Sequence, residues 1–212
     1  NKIEKLNNKL SEFFFDVRYL PEKKLLINNQ INLNDLKVDQ INSFLERKPI
    51  KRKKILGLKN KNVLVTGAAG TIGSEICRQL IFQDAKKIIG IDNSELSIYN
   101  KKIKLDNKIK LLLCDVNNQL LLNKIISDNK INLIIHAAAY KHVNILEENI
   151  ISAVNNNILA TKNLCEIAKM NTIDFILIST DKAAEPKSIL GYTKKACEHL
   201  IHFYNSKNKK NY

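Results

Sequence analysis

The sequence predicts an α/β domain built on a doubly wound parallel sheet, and three observations carry that expectation. Short apolar runs that read as buried strands alternate with helix-patterned segments from Asn62 onward. A glycine-rich stretch, "TGAAGTIG" at 66–73, sits directly between the first such run and the first helix. An acidic residue, Asp92, ends the second run, nineteen residues past Gly73. Parallel strands need crossover connections, and helices in those crossovers cover both faces of the sheet. Strands of such a sheet therefore read as short continuous apolar runs.

The elements follow in order. "NVLVTG" (62–67) is the first strand and "SEICRQLIF" (74–82) the first helix. "KIIGID" (87–92), "IKLLLCDV" (109–116), "NLIIHAAA" (132–139) and "DFILIST" (174–180) are the next four strands. The longest helical stretch lies around 145–169, and a final helix at roughly 189–206 carries Lys194. Residues 1–60 read differently, as an N-terminal extension or linker preceding a nucleotide-binding domain at 61–212. Within the extension, Val38, Ile41, Phe44 and Leu45 recur at helical spacing, and Pro49 with the basic run "KRKK" (51–54) marks the end of that helix.

Composition narrows the classes. The longest apolar runs are far too short to span a bilayer, and no signal peptide opens the chain. Cys77, Cys114, Cys165 and Cys197 are widely spaced with no Cys-x-x-Cys, which speaks against a metal site and a disulfide framework and fits a reducing, cytoplasmic setting. The formal net charge is +14. An acidic partner would suit it, but the lysines are scattered and not interleaved with aromatics. We therefore read it as compositional bias and expect no nucleic-acid partner.

The glycines have a chemical rationale. Gly67 permits a tight turn, Gly70 lets the backbone approach a pyrophosphate, and Gly73 lets helix pack close to strand. The pyrophosphate then meets the helix N-terminus at Thr71 and Ile72, where free N–H groups and the helix dipole favour anions. Asp92 can accept bonds from an adenosine ribose, which favours NAD over NADP by repelling a 2′-phosphate; Arg78 on the first helix could offset that.

The G-x-x-G-x-x-G spacing, "IDNSE" (91–95), "CDV" (114–116), "HAAAYKHV" (136–143), "VNNNILAT" (154–161) and "STDKA" (179–183) followed by Pro186 together resemble the extended short-chain dehydrogenase/reductase family. Within it the chain resembles the nucleotide-diphosphate-sugar 4,6-dehydratases of capsule, O-antigen and glycosylation pathways, especially the large membrane-anchored type. The motifs cover about 62–206, with weaker likeness at "VRYLP" (17–21) and "FLERKPI" (44–50). The resemblance implies a Rossmann-like fold whose C-terminal substrate portion is absent here. It implies a bound NAD or NADP and a UDP-sugar substrate such as UDP-N-acetylglucosamine. It also implies a homo-oligomeric, membrane-anchored whole protein with this segment on the cytoplasmic face of the inner membrane.

The resemblance also implies roles by position. Besides the glycine loop and Asp92, the cofactor would meet Asn93, Ser94, Asp115, Val116, Ala137 and Ala138. Asn156 would tie its helix to the strand end beside the nicotinamide, and Lys194 would hold the nicotinamide ribose and act in catalysis by lowering nearby proton affinities through its charge. Asp181 would be the acid at the sugar C6 hydroxyl and Lys182 the base at C5, with Thr180 and Ser179 binding substrate or relaying a proton. Lys141 and His142 would contact substrate. Tyr140 would pack on the cofactor or simply fill space. Plainer alternatives stand beside the other roles: a surface Asp–Lys pair, a hydrogen-bonded structural His142 and a helix-packing Asn156 amide.

One departure stands out. The family places a Tyr four residues before the Lys, and here that position is Leu190, with Tyr192 nearby. Residues two apart on a helix point about 200° from each other, so Tyr192 cannot stand in for residue 190. The large membrane-anchored relatives commonly carry Met there, so proton removal from the C4 hydroxyl is expected to run through Thr180, Asp181 or water. A 4-epimerase of the same family and a non-catalytic nucleotide-binding or assembly module are the alternatives.

Overall fold

The computed structural model describes residues 54–55, 57–102 and 106–206. The amphipathic run at 35–50 and most of the extension lie outside the described residues. Five strands form one sheet: β1 (Asn62–Thr66), β2 (Lys87–Asp92), β3 (Ile109–Leu113), β4 (Leu133–His136) and β5 (Asp174–Leu177). All neighbours are parallel, in the order β3-β2-β1-β4-β5. The helices are α1 (Thr71–Phe82), α2 (Glu95–Lys102), α3 (Gln119–Asp128), α4 (Val143–Glu148), α5 (Ile150–Ala153), α6 (Ala160–Met170) and α7 (Ile189–Ser206).

The period-two alternation of a strand sorts the core into two layers. Val63 and Val65 of β1 face α1 and α2 with Cys77, Leu80 and Ile98, whereas Leu64, Ile89 and Ile91 face α3 and α6 with Leu122, Ile126 and Leu164. Leu64, Leu122, Ile134 and Leu164 are completely buried. Each such side chain contributes roughly 1.5–3 kcal/mol through burial. β5 is only half-covered. Ile176 is exposed and, with Ile135 and Ile178, lines an apolar groove beside α1.

Two expectations need correction. β3, β4 and β5 leave the ladder before the apolar runs end, because residues 114–116, 137–139 and 178–180 turn into loops at the carboxyl edge of the sheet. The single helix expected around 145–169 is instead α4, α5, a π-helical turn at Val154–Leu159 and α6. Asn149 breaks it: its backbone leaves helical geometry (φ −131°, ψ 53°), and its amide folds back to donate to the carbonyl of Ile145 at 2.8 Å. Side-chain amides compete in this way with the helix ladder. The chain winds outward from β1 to β3 and then crosses back to β4. The reversal opens a crevice at the carboxyl ends of β1 and β4, the switch point at which open α/β sheets bind ligands.

Candidate functional site

The loop from β1 into α1 is built by close backbone contacts. Gly67 adopts φ +64°, and a Cβ there would lie 2.8 Å from both the N and Cα atoms of Ala138. A Cβ on Gly73 would fall 2.1 Å from the Gly67 carbonyl oxygen, so α1 docks on the loop only if this residue is bare. Gly70 differs: a Cβ there meets a single atom, at 3.2 Å. Gly70 is also the N-cap of α1 and makes no side-chain cap bond, which leaves the first N–H groups of the helix to an outside acceptor.

Asp92 ends β2 with its carboxylate held by the backbone on both sides. Oδ2 accepts from Ala69 N at 3.1 Å and Oδ1 from Ser94 N at 3.0 Å. Asp115 is anchored likewise, accepting from Asn117 N at 2.8 Å. Between them and the glycine loop runs a cleft of about 200 Å³. Every residue expected around the cofactor lines it except Ser94 and Lys194. Ser94 caps α2 instead: its hydroxyl donates to Ser97 Oγ at 2.8 Å and accepts from Ser97 N at 3.2 Å. Arg78 ion-pairs with Glu75 on its own helix. Cys114, Ala139 and Tyr140, which lie within the quoted motifs, also line the cleft.

The wall after β4 corrects the role expected of Asn156. Asn156 faces the cleft, and it is Asn157 that makes the tie. Its Oδ1 accepts from Tyr140 N at 2.8 Å and from Asn156 Nδ2 at 3.1 Å. Its Nδ2 donates to Tyr140 O at 3.2 Å and to Thr193 Oγ1 at 3.1 Å. Asn157 is 1% exposed, and all four of its hydrogen-bonding positions are used. The π turn, marked by the bond from Ala160 N to Asn155 O, sets the phase that turns one asparagine outward and the next inward. Lys141 lines the cleft at its exposed rim. His142 is exposed at the N-cap of α4 and makes no side-chain cap bond.

At the exit of β5 a short 3₁₀ turn, Asp181–Ala183, presents the expected acid–base residues. Thr180 Oγ1 donates to Asp181 Oδ1 at 2.9 Å, and Lys182 Nζ stands 3.4 Å from the same oxygen. The Thr180 hydroxyl, followed by the charge of Lys182, holds the Asp181 carboxyl below the usual carboxylate range. Helix α7 runs behind the turn. Lys194 is buried and donates to Ile178 O at 2.7 Å, and its burial lowers its pKa. Ser179 Oγ donates to Glu198 Oε1 at 2.6 Å. Leu190 is buried against Leu146 and Ala153, whereas Tyr192 is 58% exposed on the opposite face.

A five-stranded parallel sheet of this order, with a glycine loop and an acidic second-strand end meeting at its switch point, defines a Rossmann-like domain of the extended short-chain dehydrogenase/reductase type. The chain belongs to the polysaccharide biosynthesis protein family, whose profile matches residues 63–212. It is 38% identical to the capsular polysaccharide biosynthesis protein CapD of Staphylococcus aureus over 201 residues, 90% of this chain and 34% of that protein. A UDP-N-acetylglucosamine 4,6-dehydratase (inverting) of Campylobacter jejuni is 32% identical over 144 residues, 66% of this chain and 42% of that one. A UDP-glucose 4-epimerase of Rickettsia bellii is likewise 32% identical, over 147 residues, with the same two coverages. Among solved structures, a UDP-glucose 4-epimerase of Thermotoga maritima with UDP-glucose shares the fold, with a TM-score of 0.63 at 24% identity over 69% of this chain and 52% of that one. The chain spans less than half the length of the three curated relatives. Among the described residues no helix is long and apolar enough to cross a membrane.

Proposed function

We propose that this chain supplies the cofactor site and the acid–base turn of a UDP-N-acetylhexosamine 4,6-dehydratase in bacterial polysaccharide or glycan biosynthesis. One observation carries the reading. A hydrogen-bonded Thr180–Asp181–Lys182 turn stands at the strand exit, while the helix position that would hold a Tyr is a buried Leu190.

The cleft fits a dinucleotide. A Cβ at position 70 would be tight against the Gly67 carbonyl oxygen at 3.2 Å but far less so than one at Gly73, so a ligand crossing over it is a further reason for a bare residue there. The uncapped start of α1 at Thr71, Ile72 and Gly73 would take the pyrophosphate, the anchored Asp92 carboxylate the adenosine ribose, and the Asp115–Val116 wall the adenine. Asp92 favours NAD over NADP. When bound, NAD(P) supplies the acceptor and later donor of a hydride for the sugar.

The chain's own residues then move protons. Asp181 is ionised at neutral pH and receives the Thr180 hydroxyl bond, so Thr180 takes the C4 hydroxyl proton as it passes its own to Asp181. Protonated Asp181 is then the acid that lets the C6 hydroxyl leave as water, and Lys182, acting as the neutral amine once its ammonium proton has been given up, removes the C5 proton and returns it. The sum is loss of one water and a ketone at C4. Buried Lys194 orders the strand exit through Ile178 O. Ser179, Lys141 and His142 would contact substrate. For the whole protein we read a membrane-anchored homo-oligomer with this segment on the cytoplasmic face.

A 4-epimerase would share the cleft but has no elimination step, and hence no use for an acid–base pair at Asp181 and Lys182. The test is turnover of UDP-N-acetylglucosamine to a 4-keto product by the whole protein. Asp181→Asn and Lys182→Ala should each lower kcat by about 10²–10⁴, while Tyr192→Phe keeps most of it. Equal damage from Tyr192→Phe and Lys182→Ala would overturn the reading.

A further inference from the structure

We propose that His136 is a positioning residue that holds the cleft wall at 137–140 from behind, through a chain of hydrogen bonds in which every donor and acceptor is fixed. The proposal rests on the cleft being the cofactor site. His136 ends β4, is 1% exposed, and lies between two threonines. Nδ1 is 2.6 Å from Thr66 Oγ1 and Nε2 is 3.1 Å from Thr161 Oγ1.

The direction of each bond follows from proton accounting. Thr161 has one hydroxyl proton. Its oxygen lies 2.6 Å from the carbonyl oxygen of Asn157 and 3.3 Å from Cys197 Sγ. A carbonyl cannot donate, so a 2.6 Å approach of two oxygens requires the Thr161 proton between them. Thr161 therefore accepts from His136, and Nε2 carries the ring hydrogen. Burial, with the nearby Lys194 charge, pushes the His136 pKa down to about 3, so the ring is neutral and Nδ1 is bare. Nδ1 accepts the Thr66 hydroxyl proton, which leaves the Thr66 oxygen free to accept Ala138 N–H at 3.1 Å. The chain runs Ala138 N–H to Thr66, Thr66 to His136, His136 to Thr161, and Thr161 to the Asn157 carbonyl. Asn157 in turn clamps both backbone groups of Tyr140.

The consequence is geometric. The wall is fixed at Ala138 by Thr66 and at Tyr140 by Asn157, and His136 joins the two anchors. Ala138 is also the residue against which Gly67 packs with no room for a Cβ. A wall that drifts by a few tenths of an ångström therefore moves against the glycine loop and changes the width of the cleft. Packing alone would be met by an apolar ring at 136, since Phe175 stands only 6.1 Å away, centroid to centroid. A buried polar chain is costly unless each member is satisfied, and this one is satisfied throughout.

The 212-residue chain tests this with NAD⁺ and NADP⁺ as probes. His136→Asn keeps an acceptor near the Nδ1 position for Thr66, whereas His136→Gln keeps only a donor towards Thr161. Thr66→Val removes the acceptor for Ala138 N–H, and Thr66→Ser retains it. By calorimetry, Thr66→Val and His136→Gln should weaken binding about tenfold, the equivalent of one hydrogen bond. His136→Asn, which keeps the Thr66 link and loses the Thr161 one, should fall between them and the parent, and Thr66→Ser should stay close to the parent. Nitrogen-15 spectra of the parent should show the Nε2–H tautomer unchanged from pH 8 to 5, and amide exchange at Ala138 should accelerate in Thr66→Val. Equal losses of thermal stability with unchanged affinity, or a ring that titrates near its ordinary value, would overturn the proposal. If the parent binds neither dinucleotide, the cofactor reading falls, and the tautomer and the Ala138 exchange still decide whether the wall is held as described.

Discussion

Gly70 and Gly73 are indistinguishable as letters in a motif, yet their neighbours ask different things of them. A Cβ at 73 would strike the Gly67 carbonyl at 2.1 Å, a backbone atom that cannot swing away. Gly73→Ala should therefore cost about 1–3 kcal/mol of stability. A Cβ at 70 would meet that same carbonyl oxygen at 3.2 Å, a tight contact that a shift of a few tenths of an ångström relieves, so, compared with Gly73→Ala, Gly70→Ala should lose less stability. Its dinucleotide affinity should drop at least about tenfold, the loss of roughly one strong contact. Thermal denaturation beside calorimetry separates the two. Full affinity in Gly70→Ala would make that glycine structural only. The motif revealed where the glycines belong but not which of them the apo fold itself requires. Asn156 and Asn157 show the same limit. Three consecutive asparagines carry no mark of the π turn that decides which one is buried, because a single extra residue per turn leaves no periodic trace. Ser94 is similar: nothing in its letter shows that its hydroxyl caps α2 through Ser97.

At the scale of elements, apolar periodicity was a good guide where packing alone decides. β2 spans Lys87–Asp92 and α7 spans Ile189–Ser206, both as the pattern implied. It failed where side chains compete with the backbone, as at Asn149, and where a strand leaves the sheet to build a loop. What periodicity could not show is how closely α7 approaches the 3₁₀ turn. A Cβ on Gly191 would lie 2.6 Å from Lys182 O and 3.1 Å from Pro186 Cα, so the helix shapes the acid–base turn through a bare backbone contact. Lys194 and Glu198, on the same helix, hold Ile178 and Ser179 just before it. Gly191→Ala should push the turn outward. In the whole protein it should lower kcat by about tenfold or more, since misplacement of catalytic groups by an ångström costs up to about a hundredfold. Dinucleotide affinity, set by the glycine loop and Asp92, should stay near the parent value. Steady-state kinetics with a parallel binding titration would check it, and unchanged kcat would show that the turn does not depend on α7.

Across the molecule, the switch point brings the glycine loop, the acidic second-strand end and the exits of β4 and β5 to one edge of the sheet. Alternating strands and helices made that topology readable in advance, since parallel order and crossover hand leave few other arrangements. The apolar face of β5 was less readable, because an apolar strand looks the same whether one or both of its faces are covered. The central claim is that this edge serves an internal oxidation–reduction with elimination. The most direct measurement follows the label when the whole protein acts on UDP-N-acetylglucosamine carrying deuterium at C4. The account predicts a 4-keto product with the deuterium at C6, because the hydride that leaves C4 returns there. Recovery of a 4-epimer with the deuterium still at C4 and no keto sugar would contradict it.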